Sequence, residues 1–146
     1  MKHIPGRADG ARAEQRNEHF TGMVWGDPLM ATSDGVTMNT VYFSPGGRTH
    51  WHRHEGGQVI HVSSGGGWVA QRGEPAVKVR KGDTVWAPPG EEHWHGAAQN
   101  AFMVHVAVSM GHTEWLDEVG EEQFADAEAG GMPDDSGDPE TDRGEA

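Results

Sequence analysis

Between Pro45 and Gly90 the chain is interrupted at short intervals by turn signals: Pro45-Gly46-Gly47, Gly56-Gly57, Gly65-Gly66, Gly73-Glu74-Pro75, Gly82-Asp83 and Pro88-Pro89-Gly90. Glycine supplies the positive φ, and proline the fixed φ, that tight turns need, so no helix of ordinary length fits between these breaks. What does fit is strand-length apolar or alternating runs, over 21–25, 36–44, 49–54, 58–62, 67–72, 76–80, 84–87, 92–96 and 101–109. Many short strands joined by tight turns build a barrel or sandwich, and the spacing predicts an all-β fold of the jelly-roll kind. A chain of 146 residues encloses one such core rather than two. After Gly111, Trp115, Leu116 and Val119 fall at helical spacing behind Thr113, which predicts one short amphipathic helix over 113–124 packed on the barrel.

The two ends read differently from the middle. Residues 1–18 mix charged and small residues without apolar periodicity and are expected to form a flexible arm, leaving 19–125 as the folded domain. The formal net charge is -12, and 126–146 carries eight of the acids against one base, Arg143. Such a block is expected to stay solvated and disordered. No basic patch balances it, which argues against nucleic acid and anionic membrane as partners. Cysteine is absent, which excludes disulfides, thiolate metal sites and a cysteine nucleophile. The first residues lack the apolar stretch of a secretory signal, and no run has bilayer-spanning length, so the expectation is a soluble cytoplasmic protein.

The histidines carry the chemistry. His52 and His54 sit two apart in one strand-like segment, and His93 and His95 repeat the pattern some forty residues later. Residues i and i+2 share one face of a strand. Two imidazoles on one face, met by a third from another strand, supply the convergent nitrogens that Zn, Mn, Fe, Co and Ni sites use. One such pair is as readily exposed or buried in a core; two pairs favour the metal. His105 interrupts the apolar run 102–108, so it points at water, a partner or a pocket. It is either a structural histidine or one whose ordinary pKa suits proton transfer at neutral pH. His50 shares parity with His52 and His54 and either lines the pocket or caps the barrel mouth. His95 either contacts substrate or packs. His61 has parity opposite to Gln58, Ile60 and Val62, which places it on the surface or at a subunit contact. Glu55 is expected in solvent and Asp83 in a turn. No phosphate loop or nucleophile elbow is present.

The segment from Gly47 to Gln58, with His52, His54 and Gln58, followed by Gly65, resembles the first cupin motif, and Gly82-Asp83, Pro88, Gly90 and His93 resemble the second. The resemblance implies a single jelly-roll-like barrel in which His52, His54 and His93 bind one metal ion. Gln58 stands where the family usually has glutamate. Four neutral ligands would leave a divalent ion its full charge, a stronger Lewis acid and anion trap. From Phe20 to Phe124 the chain is similar to the small manganese cupins with hydroxynitrile lyase activity, on Phe20-Thr21-Gly22, Asp27-Pro28-Leu29, Gly67-Trp68, Ala70-Gln71-Arg72 and the run His93 to Ala98. That likeness implies Mn(II) as cofactor, with Fe(II), Zn(II), Co(II) or Ni(II) as alternatives. It also implies His105 as the catalytic histidine, a pocket wall at Asn39 and Val41, a small-molecule substrate and a homodimer. Asn39 is bulkier and more polar than the small apolar residue expected there. An iron-dependent dioxygenase and a non-catalytic binding cupin are the rival readings of the same ligands.

Overall fold

A computed structural model describes residues 1–130. The expected acidic tail falls outside the described residues from 131 onward; its first five positions belong to a helix. In chain order the strands are β1 (Glu14–Gln15), β2 (Phe20–Thr21), β3 (Val24–Ser33), β4 (Val36–Phe43), β5 (Arg48–Thr49) and β6 (His52–His54). There follow β7 (Gln58–Gln71), β8 (Val77–Arg80), β9 (Thr84–Ala87), β10 (His93–Ala97), β11 (Met103–Met110) and β12 (Thr113–Trp115), then a single helix, α1 (Glu121–Gly130). All strand pairs are antiparallel.

One strand belongs to both halves of the sheet. The first part of β7 lies between β11 and β9, and β11 continues through β4 and β3 to β1. The last part of β7 lies between β10 and β8, and β10 continues to β5, β2 and β6. Between the two parts the register with β11 shifts, so that Ser63 is an extra residue. Gly65 then takes φ 72°, and a Cβ there would strike the Phe102 carbonyl. The sheet therefore curls into a half-barrel with one short C-terminal helix, the all-β cupin-like architecture expected from the sequence. Gly65-Gly66 is a bend inside one continuous strand, not a break between two.

Inward residues of the two halves, Val24, Phe43, Val62, Val69, Val79, Ala97 and Met103, form the core at one end of the barrel. A second apolar layer lies outside β7 and β10, where Trp51, Trp68, Ala70 and Trp94 meet Val119, Phe124 and Ala127. This layer explains why all five residues of β10 are buried: one face looks into the barrel and the other at α1.

The helix lies further along than its expected place at 113–124. Thr113–Trp115 is a strand instead, paired with β6 through Thr113↔His54 and Trp115↔His52, because the open edge of β6 offers backbone partners that outweigh the helical spacing. The helix starts after Gly120, whose N–H donates to the Gln123 side chain at 3.1 Å, and Glu121 and Glu122 suit its positive end. The N-terminal arm is also not loose throughout. Glu14–Gln15 pairs with β3, Arg16 donates its N–H to the Val24 carbonyl at 2.7 Å, and Ala8 is buried, so the arm covers an otherwise open edge strand.

Arg48 ties the helix to the barrel. Its guanidinium donates to the Val119 carbonyl through Nε (3.1 Å) and Nη2 (3.0 Å), pairs with Glu121 at 2.9 Å and lies 4.6 Å over the Phe124 ring. Only 4% of Arg48 is exposed, so removing it strands a buried carbonyl. Replacement of Arg48 by Met is expected to lower stability by about 2 kcal/mol, read from the midpoint of denaturant unfolding. An unchanged midpoint would show that the helix docks without it.

Candidate metal centre

Strand alternation builds the site from the far end of the same core. Along β11 the inward residues run Met103, His105, Ala107, Ser109, opposite Phe43, Val41, Asn39 and Thr37 of β4. Met103 and Phe43 belong to the core, whereas His105, Asn39, Ala107, Ser109 and Thr37 line a cavity of about 230 Å³. β7 brings Gln58 beside Ser109. From the other half, His52 and His54 of β6 and His95 of β10 line the same cavity, and His93 pairs with His52 at its edge. The three residues assigned to the pocket wall from sequence, Asn39, Val41 and His95, all line it.

Each ring has a defined orientation. The Nδ1–H of His52 donates to the His50 carbonyl at 2.9 Å, and that of His93 to the Glu91 carbonyl at 3.0 Å. Nδ1 of His54 meets the Thr113 hydroxyl at 2.9 Å. With Nδ1–H donated to a carbonyl, the neutral rings of His52 and His93 present a lone pair on Nε2. The rings of His52 and His93 lie 4.4 Å apart, and those of His52 and His54 5.0 Å apart. Gln58 donates its amide N–H to the Ser109 hydroxyl at 3.0 Å, which turns its oxygen towards Nε2 of His93, also at 3.0 Å. An amide oxygen and an imidazole lone pair are both acceptors, so a cation beside them would satisfy both, as would an amide turned to donate to Nε2. Nε2 of His54 is likewise buried with no partner among the described residues.

His52, His93 and His95 offer ring nitrogens that all lie within 4.8 Å of one another, so three close histidines can hold a metal ion. His54 stands outside that group by distance and lines the same cavity, its ring 5.0 Å from that of His52 and 5.8 Å from that of His93, the ring that meets the Gln58 amide. His95 turns Nδ1 to Nε2 of His105 at 3.0 Å instead. These buried donors, nitrogen with one amide oxygen, fit a borderline divalent ion.

Burial keeps every one of these rings neutral. It is the main cause that holds His52 and His95 well below the ordinary histidine range, with the neighbouring rings His93 and His105 adding to it respectively. Burial lowers His93, pushes His54 down to about 4 with help from His93, and pushes His105 to about 4. Of the other histidines considered, His50 is half-buried, 3.9 Å from Glu118 and outside the cavity lining. His61 is exposed and meets the Thr84 hydroxyl at 2.8 Å. Sequence reasoning missed Arg16, Thr37, Ser109, Thr113 and Trp115 as lining residues. Ser109 could have been found from its parity with His105, and Thr37 from its parity with Asn39 and Val41; Arg16, Thr113 and Trp115 could not, because the arm and β12 were assigned to other structures.

Residues 39–109 match the cupin domain model. An (R)-mandelonitrile lyase of Granulicella tundricola is 40% identical over 111 residues, which is 72% of this chain and 85% of that protein. The chain belongs to the cupin family. Among solved structures, this cupin resembles a cupin-like protein of Thermotoga maritima with a TM-score of 0.76 and 38% identity, over 88% of this chain and 99% of that one. The polyketide cyclase RemF of Streptomyces resistomycificus, at a TM-score of 0.65 and 20% identity over 85% and 90% of the two chains, shares the fold alone.

The depressed histidines give this cupin a pH dependence whose sign follows from linkage. In the unfolded chain His54 and His105 titrate near 6.5, whereas in the folded, metal-free protein they do so at about 4. Between those values the unfolded state binds protons that the folded state refuses, so stability is present above pH 6.5 and is lost as pH falls towards 4. Thermal unfolding of the chelated protein is expected to move to lower temperature from pH 7 to pH 4.5, by a loss of a few kcal/mol. Equal midpoints at the two pH values would contradict neutral, buried rings.

Proposed function

We propose that this cupin is a metal-dependent carbon–carbon lyase of the hydroxynitrile type, with His52, His54, Gln58 and His93 holding one Mn(II) and His105 moving the proton. The observation that carries the reading is the cluster of buried ring nitrogens beside the Gln58 amide, whose oxygen lies 3.0 Å from Nε2 of His93, a donor set that fits a divalent cation. The similarity to an (R)-mandelonitrile lyase supports the substrate type. When bound, the ion supplies Lewis-acid polarisation of the substrate oxygen, and the neutral ligand set leaves its charge undiminished.

The rest falls to side chains of the chain. His105 is neutral, fully buried and in the cavity wall, so it can accept the proton of a cyanohydrin hydroxyl. As the carbon–carbon bond to the nitrile breaks, its electron pair leaves with cyanide, the hydroxyl oxygen becomes a carbonyl, and the proton returns to cyanide as hydrogen cyanide. The reverse sequence adds cyanide to an aldehyde or ketone. His95, bonded to His105, fixes its ring and fills the space between the metal ligands and the proton carrier. Asn39 and Val41 bound the substrate on the β4 side.

The test is aldehyde release from mandelonitrile, followed by absorbance at mildly acidic pH. The Mn(II)-loaded protein is expected to release benzaldehyde well above the chelated protein. His105→Ala is expected to retain one ion per chain and lose at least about a hundredfold in turnover. Retained turnover in that variant would remove the role of His105. Absence of release from a loaded site, with oxygen uptake on Fe(II) loading, would replace the lyase by an oxygen-dependent enzyme.

The proposal extends to a homodimer. Trp25 and Tyr42 are cross-strand neighbours on the outer face of β3 and β4, and Trp86 stands on β9 of the same half; each is 40% exposed or more. Large exposed aromatics on one sheet face suit a subunit contact. Sedimentation is expected to give a dimer that Tyr42→Lys weakens at least tenfold; a monomeric wild-type chain at all concentrations would remove the contact.

A further inference from the structure

The cavity holds one formal charge that the chemistry above does not use. Arg16 follows β1 and lines the cavity together with Phe20, Asn39 and Val41. It reaches there across Gly26. Gly26 pairs with Val41, whose side chain lines the cavity, so Gly26 faces inward as well. A Cβ at Gly26 would collide with Nε and Nη2 of Arg16 and come within 2.6 Å of its Cζ. The missing side chain at 26 is therefore what lets a half-buried guanidinium lie along the inner face of β3.

Among the described residues that guanidinium meets no anion. Arg7, Arg48, Arg53 and Arg72 each meet a carboxylate, whereas Arg16 has neither an ion pair nor a side-chain hydrogen bond among the described residues. No aspartate or glutamate lines the cavity among the described residues, and the histidines there are neutral. A half-buried arginine without a partner bears a desolvation cost, and in a chain of formal charge -12 the carboxylates to relieve it were plentiful. Planar guanidinium donors match the two oxygens of a carboxylate, and the match is stronger where water is partly excluded.

We infer that Arg16 is an anion-binding residue of this pocket and that the substrate is a carbonyl compound, or its cyanohydrin, that also carries a carboxylate. The carboxylate is held by Arg16, with the amide of Asn39 available as a further donor on the neighbouring wall. The substrate class rests on the lyase reading, whereas the anion site itself does not. Asn39, bulkier than a small apolar residue, becomes a second polar contact for the acid.

The probes are benzoate and benzamide, alike in shape and differing in charge. Their binding to the full-length protein is measured by calorimetry in the Mn(II)-loaded and the chelated forms. In both forms Arg16→Gln is expected to weaken benzoate about tenfold and to leave benzamide within twofold. Arg16→Lys is expected to restore most of the benzoate affinity. Gly26→Ala, which displaces the guanidinium without removing it, should repeat the loss. Equal weakening of both probes by Arg16→Gln, or no weakening of either, overturns the anion site, as does a chelated wild-type protein that shows no preference for benzoate. Charge discrimination in a protein that cleaves no cyanohydrin would leave the anion site standing and remove the lyase reading. Cleavage of mandelonitrile without charge discrimination would do the reverse.

Discussion

The bend in β7 decides which residues can meet. Gln58 lies on the part of the strand that pairs with β11, and His93 lies on β10, which pairs with the other part. A straight strand would carry the two partner strands away from each other along one flat sheet. The extra residue Ser63 and the positive φ of Gly65 turn the strand, and the amide oxygen then comes to 3.0 Å from the imidazole. The core of valines and aromatics stabilises the curl, but the curl is what converts two remote hydrogen-bonded ladders into one donor set.

Within that frame the rings are held by cheap, local bonds. His52 and His93 each donate to a carbonyl two residues earlier, a bond that the strand's own geometry supplies. Gln58 depends on Ser109 of the adjacent strand, and His54 on Thr113 of β12. Burial keeps all of these rings unprotonated, and so the fold withholds protons where it needs free lone pairs. Buried neutral rings and the Arg16 guanidinium, with no carboxylate lining the cavity among the described residues, give the pocket an excess of positive potential inside an acidic protein.

Much of this was legible because two rules act on β proteins: turns need particular residues, and strands alternate. The turn residues located most of the strands, and parity grouped His52 with His54 and His93 with His95. The same parity put His61 outside, whereas Asn39, Val41 and His105 came from the family likeness; all three line the cavity. What failed was everything decided by an edge. Residues 113–115 have an apolar pattern that suits a helix, but the unpaired side of β6 claims them. Residues 14–16 have no pattern at all, and the unpaired side of β3 claims them in turn, carrying Arg16 into the pocket. Local sequence does not announce an edge that exists only after the sheet has formed. Gly65-Gly66 failed for a related reason, since a glycine pair marks a backbone departure without saying whether the strand resumes.

β12 has a consequence for the order in which the protein is completed. Trp115 pairs with His52, Thr113 holds the ring of His54, and the backbone of Trp51 exchanges hydrogen bonds with Leu116 and Asp117. β6, which carries His52 and His54, therefore has one of its two neighbours some sixty residues downstream. In a chain made from the N-terminus, His52, His54, Gln58 and His93 are all joined before the strand that pairs with β6 is made. Completion of this histidine cluster is thus a late event, tied to the arrival of the last quarter of the chain rather than to the appearance of the histidines themselves.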